Sequence, residues 1–225
     1  MTDADRLTRT RRDFRPSGQP GAPSPTPTVL MVCTGNICRS PMAEALLRAR
    51  LGTLEVRVHS AGTRALIGRP MPRRAQRVAT ANGASRADVA RHRAQWLLDP
   101  VIDDADLVIG MSRRHLVASV ELAPHLLRQT FTAREFDRLA ATLTDEQIVA
   151  AADAGGDDLR RRLVAAVQLV ARRRCAVPQP PPEEYDIVDP YKRTRRVYNA
   201  SAAQLVPAVD AVARVLRVAL RSAAG

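Results

Sequence analysis

Cysteine and aromatic residues are scarce in this chain. Its 225 residues include three cysteines, Cys33, Cys38 and Cys175, and so low and odd a count is no disulfide framework. It fits a reducing compartment, in which a thiol can act as a nucleophile. Aromatic residues make up 3% of the chain, which excludes an aromatic stacking platform for single-stranded nucleic acid. No apolar run approaches the roughly 20 residues of a membrane span. The first residues are charged and then rich in Pro, Ser and Gly, without the apolar core of a signal peptide. The chain therefore reads as cytoplasmic. Acidic residues are outnumbered, 23 Asp and Glu against 35 Lys and Arg, for a formal net charge of +12 carried almost entirely by arginine. Such a balance suits a nucleic-acid or phosphoprotein partner. Solvated basic faces on an Arg- and Ala-rich chain explain it more simply, so nucleic acid is not the expected partner.

What is present is a globular composition, 45% apolar and 26% charged, long enough for one domain with extensions. Residues 1–27 are basic and Pro-rich and read as a disordered tail. The domain runs from 28 to 225. A strand is expected over 28–33 and a helix over 41–51. Leu54, Val56 and Val58 alternate with polar residues as a second strand, which Ser60-Ala61-Gly62-Thr63 turns out of. A helix follows Pro70-Met71-Pro72 over 73–82, and a short helix or loop holds Val89, Ala90, His92 and Ala94. Asp106 to Met111 reads as a third buried strand. Strands alternating with helices imply an α/β fold with a parallel sheet. The stretch 117–184 carries helical patterns at 133–142, 144–153 and 157–174 and no chemical motif. It reads as a helical insertion on the domain surface. Tyr185 to Tyr191 then resumes the core as a strand followed by a loop, and a last amphipathic helix spans 200–222.

The chemistry sits in Val32-Cys33-Thr34-Gly35-Asn36-Ile37-Cys38-Arg39-Ser40-Pro41. The apolar run from Val29 to Val32 suits a buried parallel strand. Ser40 as N-cap and Pro41 at the first helical position would then open a helix. Loop N–H groups and the helix N-terminus converge on one point, a site for a phosphate-sized dianion with a thiol at its floor. The amides and Arg39 would stabilise a Cys33 thiolate placed to attack phosphorus. Arg39 can hold two phosphate oxygens through its planar fork. Gly35 permits a positive φ and Asn36 tolerates one. Ser40 can donate a hydrogen bond to the Cys33 sulfur and help it leave in a second step. The leaving oxygen needs a proton donor, and Asp189, held extended by Pro190, is the candidate, with Asp186 the nearby competitor. A cysteine and an arginine separated by five residues form a weak signal alone; the full decapeptide between a strand and a helix is specific.

On these residues the chain resembles the low-molecular-weight protein tyrosine phosphatase family. The likeness rests on Val32 to Pro41, Met42-Ala43-Glu44, Ser60 to Thr63 and Asp189-Pro190-Tyr191. It covers roughly 28–116 and 184–222. It implies a small four-stranded parallel sheet flanked by helices. It implies Cys33 as nucleophile, Arg39 as phosphate binder and Asp189 as general acid and then base. Thr34, Gly35, Asn36, Ile37, Cys38 and Ser40 would bind phosphate or support the loop, and Ser60 and His92 would join Asn36 and Ser40 in a hydrogen-bond network. Cys38 matches a second loop cysteine that can form a reversible protective disulfide with the nucleophile. Leu66 and Tyr191 would line the substrate pocket. The implied partner is a phosphotyrosine-bearing protein such as a bacterial tyrosine kinase; no metal or organic cofactor is implied.

The chain also departs from the family pattern. Lys192 stands where a second aromatic often follows Tyr191, Arg64-Ala65-Leu66-Ile67 lacks the usual rim aromatic, and Ser112 replaces an acidic residue after the third strand. A more open and more basic pocket is expected. Related arginine phosphatases carry threonine where this chain has Ile37, whose bulk suits a flat aromatic ring. Phosphoarginine or a small phosphate ester is the alternative substrate. Thiol-based arsenate reduction would need a further pair of close cysteines, and Cys175 stands alone. A phosphoprotein-binding module is the non-enzymatic alternative.

Overall fold

The computed structural model describes residues 26–221, so the expected tail lies, but for its last two residues, outside the described residues. Four strands, β1 (Thr28–Cys33), β2 (Arg57–Gly62), β3 (Leu107–Gly110) and β4 (Thr130–Thr132), form one sheet in the order β2-β1-β3-β4. All three pairings are parallel. β1 is buried on both faces, as a central parallel strand must be. Its alternation divides the core. Val29, Met31 and Cys33 face the larger apolar cluster, and Leu30 and Val32 face a smaller one with Ile102, Val108 and Leu126.

The helices are α1 (Arg39–Leu51), α2 (Arg73–Ala81), α3 (Arg86–Arg91), α4 (Asp99–Ile102), α5 (Arg113–Leu122), α6 (Ala133–Ala140), α7 (Asp145–Asp153), α8 (Leu159–Arg172) and α9 (Arg195–Leu220). The α/β class and four-stranded parallel sheet expected from the sequence are observed. No helix among the described residues is long and apolar enough to cross a membrane.

The stretch 117–184 is helical where expected, but it is no surface addition. Thr130–Thr132 supplies the fourth strand, pairing with Val108–Gly110. Three residues are too few to show a strand period. Leu163, Ala166, Val167 and Val170 of α8 and Ile148 of α7 are fully buried in the cluster that holds Leu205, Val212 and Leu216 of α9. Their apolar stripes are core because α9 covers them. The strand expected at Tyr185 is absent. A 3-10 turn over Pro182–Tyr185 leads into unpaired extended chain, tied to the sheet by the Ile187 N–H on the Met111 carbonyl at 3.0 Å. The last helix begins at Arg195, earlier than expected.

Candidate active site

β1 ends at Cys33, and α1 begins at Arg39 with Cys38 as its N-cap. Ser40 is therefore not the cap, and no side chain caps this helix. The amides at its positive end stay free for an anion, while the Ser40 hydroxyl donates to the Cys33 sulfur at 2.9 Å. Asn36 adopts φ 52, as its type allows. Gly35 is not in that region. A Cβ there would meet Ile37 and Leu66 only at ordinary contact distance, so backbone turning is not what it provides. Close approach matters instead at Gly62, the end of β2, where a Cβ would lie 2.5 Å from the Thr34 carbonyl oxygen.

Asn36 is hydrogen-bonded to Ser40, Ser60 and His92. Its amide donates to Ser40 Oγ at 3.0 Å and to Ser60 Oγ at 2.8 Å. Its carbonyl accepts from His92 Nε2 at 2.7 Å, and its Oδ1 from the Gln95 N–H at 2.8 Å. Ser60 in turn donates to Glu44 Oε2 at 2.6 Å. Burial pushes the His92 pKa down despite the nearby Glu44 carboxylate. Buried Glu44 thus orients Ser60, Ser60 receives Asn36, and Asn36 aims Ser40 at the sulfur. Glu44 and Gln95 were not among the expected site residues. Glu44's place four residues after Ser40, on one helix face, was the available signal.

A second unexpected group supports the other end of the loop. His115, buried at the start of α5, meets Thr34 Oγ1 through Nε2 at 2.9 Å and Ser112 Oγ through Nδ1 at 2.8 Å. Burial, and then the Arg39 and Arg114 charges, pushes its pKa down to about 3, so the ring is neutral. Its position just past the carboxyl end of β3, where open parallel sheets place their sites, was the signal to read.

Arg39 is buried, with its guanidinium divided between two partners. Nη1 donates to the Ile187 carbonyl at 3.0 Å and Nη2 to Asp189 Oδ2 at 2.8 Å. Asp189 is half exposed and steadied by the Tyr191 N–H on Oδ1 at 3.1 Å, an Asx-type turn across Pro190. Asp186, the competitor, accepts instead from the Arg113 N–H at 2.8 Å. Cys38 is a buried free thiol with its sulfur 3.7 Å from the Tyr198 hydroxyl. Burial pushes its pKa up to about 12 and keeps it protonated. Exposed Cys175 takes no part. Beside the loop, a cleft of about 560 Å³ is lined by Ile37, Leu66, Met71 and Tyr191 together with Arg69, Arg73 and Gln76, so both expected pocket residues share one cleft.

A parallel α/β sheet with a cysteine and an arginine framing an amide loop at the carboxyl end of its second strand in order defines a class built to hold an oxyanion next to a thiol. Residues 28–148 match the family model for low molecular weight phosphotyrosine protein phosphatase, and the chain belongs to that family. It is 48% identical over 84 residues to the probable low molecular weight protein-tyrosine-phosphatase EpsP of Ralstonia solanacearum. That alignment covers 37% of this chain and 54% of EpsP, about half the length of the relative. Among solved structures, Vibrio vulnificus Wzb in complex with benzylphosphonate superposes with TM-score 0.56 at 25% identity, covering 84% of this chain and 97% of that one. The YwlE arginine phosphatase from Geobacillus stearothermophilus does so with TM-score 0.56 at 28% identity, over 83% of this chain and 90% of that one.

Proposed function

We propose that the protein hydrolyses phosphotyrosine in proteins through a phosphocysteine intermediate, in one domain from residue 28 onward. The observation that carries this reading is the Ser40 hydroxyl on the Cys33 sulfur at 2.9 Å, in a loop whose closing Arg39 holds Asp189 at 2.8 Å. In the first step the Cys33 thiolate forms a bond to phosphorus as the bond to the tyrosyl oxygen breaks. Asp189 gives its proton to that oxygen. Arg39 turns its fork from Asp189 to the phosphoryl oxygens and follows their charge. This move also frees the Asp189 carboxyl to reach the leaving oxygen. In the second step water attacks phosphorus, Asp189 takes the water proton, and the sulfur leaves as a thiolate stabilised by Ser40.

The aromatic lean rests on Ile37, Leu66 and Tyr191 in the cleft, and a related fold holding benzylphosphonate agrees with it. The likeness to an arginine phosphatase supports phosphoarginine as the second reading; Ile37 offers a guanidinium no polar contact. A free cysteine as nucleophile suits the cytoplasm, and the proposed partner is a phosphotyrosine-bearing protein. A panel of phosphotyrosine, phosphoserine, phosphoarginine and arsenate tests the reading. Phosphotyrosine should be turned over fastest. Cys33→Ser should abolish turnover, and Asp189→Ala should lower it about 100- to 10,000-fold with tyrosyl substrates. Full activity in Cys33→Ser would sink the mechanism.

A further inference from the structure

The cleft beside the cysteine loop is lined by two arginines, Arg69 and Arg73, and, among the described residues, by no carboxylate. One wall is the segment from Leu66 to Gln76, which leads into α2, and the other is Tyr191. The sequence holds no Asp or Glu between Glu55 and Asp88, yet carries Arg64, Arg69, Arg73, Arg74 and Arg77 there. It holds none between Asp189 and Asp210 either, where Lys192, Arg193, Arg195 and Arg196 follow Tyr191. Other arginines are paired, Arg50 with Asp210, Arg57 with Asp104, Arg160 with Asp106, Arg162 with Asp153 and Arg214 with Asp145, while exposed Arg86, Arg114 and Arg128 stand unpaired among the described residues, singly and away from the cleft. Exposed Arg64, Arg69, Arg73 and Lys192 have no carboxylate partner among the described residues. Lys192 is the one lysine in the chain. Its φ of 57 is uncommon for a residue with a side chain, and its ammonium lies 5.4 Å from the centre of the Tyr191 ring. It is thereby held at the rim next to the aromatic wall.

Arg69 and Arg73 in one wall, with Lys192 beside the Tyr191 wall, repel each other and gain from an anionic occupant. The cysteine loop takes a single phosphate, so a second source of negative charge must fill the cleft alongside it. We infer that this cleft receives an acidic stretch of polypeptide next to the phosphorylated residue, so that the protein selects Asp- and Glu-flanked phosphotyrosine. The inference rests on the phosphatase reading for the phosphate itself. The flanking contacts are solvent-exposed, so each is weak and salt-sensitive, and those of Arg69, Arg73 and Lys192 acting together give a preference of roughly ten-fold.

The test compares matched phosphotyrosine peptides with Glu, Ala or Lys flanks, at about 50 mM and about 500 mM salt. Wild type should favour the Glu-flanked peptide about ten-fold in kcat/KM over the Ala-flanked one, and lose most of that preference at high salt. In Arg69→Glu combined with Arg73→Glu, and separately in Lys192→Glu, the order should flatten or reverse, each variant being compared with itself across the three peptides. Thermal melting shows that the variants are folded. Equal kcat/KM for all three peptides overturns the inference, as does a preference that survives in the variants. Duplex DNA competing as well as the Glu-flanked peptide overturns it too, by assigning the charge to nucleic acid. Peptide binding to Cys33→Ser by calorimetry needs no turnover. A Glu preference in binding without turnover in wild type therefore overturns the phosphatase reading alone.

Discussion

The cysteine loop is held from two directions by single side chains. On one, Asn36 ties it to Ser40, Ser60, His92 and Gln95. On the other, His115 ties Thr34 to Ser112. A neutral imidazole between two hydroxyls can accept from one and donate to the other, whichever tautomer it takes. His115→Ala removes both contacts and leaves two hydroxyls short of partners in a buried setting. We expect kcat/KM on an aryl phosphate to fall about ten-fold, with part of the loss recovered in His115→Asn, which can still reach one hydroxyl. Because His115 stays neutral down to about pH 3, the pH profile of wild type between 5 and 8 should carry no inflection that vanishes in the Asn variant. An activity in His115→Ala equal to wild type would remove the residue from the site. Cys33, Arg39 and Asn36 were legible because their spacing lies within one loop. His115 was not, because its partner Thr34 is 81 residues away and nothing local marks the pair. Gly35 was misread for a related reason: a glycine in a loop suggests a positive φ, but it is the neighbouring Asn36 that takes it.

At the scale of elements, the strands and helices with full periods were readable. β1 and β3 are continuous apolar runs, and α6 and α7 open on capping boxes at Thr132/Glu135 and Thr144/Gln147. What escaped was position. An amphipathic helix shows that it has an apolar face but not which neighbour covers it, and so α7 and α8 read as surface. The structure shows what fixes them. Arg162 of α8, almost fully buried, donates to the Ala219 carbonyl in α9 at 3.0 Å, to the Gly156 carbonyl at 3.2 Å and to Asp153 of α7 at 2.9 Å. One guanidinium thus joins three helices. Nearby Gly155 packs so closely that a Cβ would lie 2.4 Å from the Arg162 backbone nitrogen. Arg162→Met keeps the apolar stem and deletes the donors, stranding the Ala219 and Gly156 carbonyls. We expect a loss of about 2–4 kcal/mol, and a melting temperature lower by roughly 5–15 °C. Thermal denaturation of the purified variant checks this. An unchanged melting temperature would mean that the apolar contacts of Leu163, Val167 and Val170 hold α8 unaided.

For the whole molecule, buried histidines should set how stability responds to acid. The chain has four, and burial lowers three of them: His115 to about 3, His59 to about 4, and His92 in the same direction. In the unfolded chain each takes its proton near pH 6.5. Between that pH and the lower folded values the unfolded chain binds more protons, so stability is fully present above about 6.5 and is lost as the pH falls. His115 and His59 together should lose roughly 4 kcal/mol between about pH 6.5 and 5, at about 1.4 kcal/mol per unit each. Asp106 and Asp137 act in the opposite sense, because burial raises both and their protonation is easier in the fold. Their gain as the pH falls offsets part of the histidine loss. The melting temperature should therefore drop by about 10 °C from pH 7 to 5. His59 allows the cause to be isolated. It lies outside the loop network, and its Nε2 is buried without a hydrogen-bond partner. His59→Leu removes both the unsatisfied nitrogen and the proton, so it should melt at or above wild type at pH 7 and lose about half of the acid slope. A wild-type melting temperature that stays flat from pH 7 to 5, or a His59→Leu slope as steep as wild type, would show that the histidines are hydrated in solution and that other groups govern the acid response.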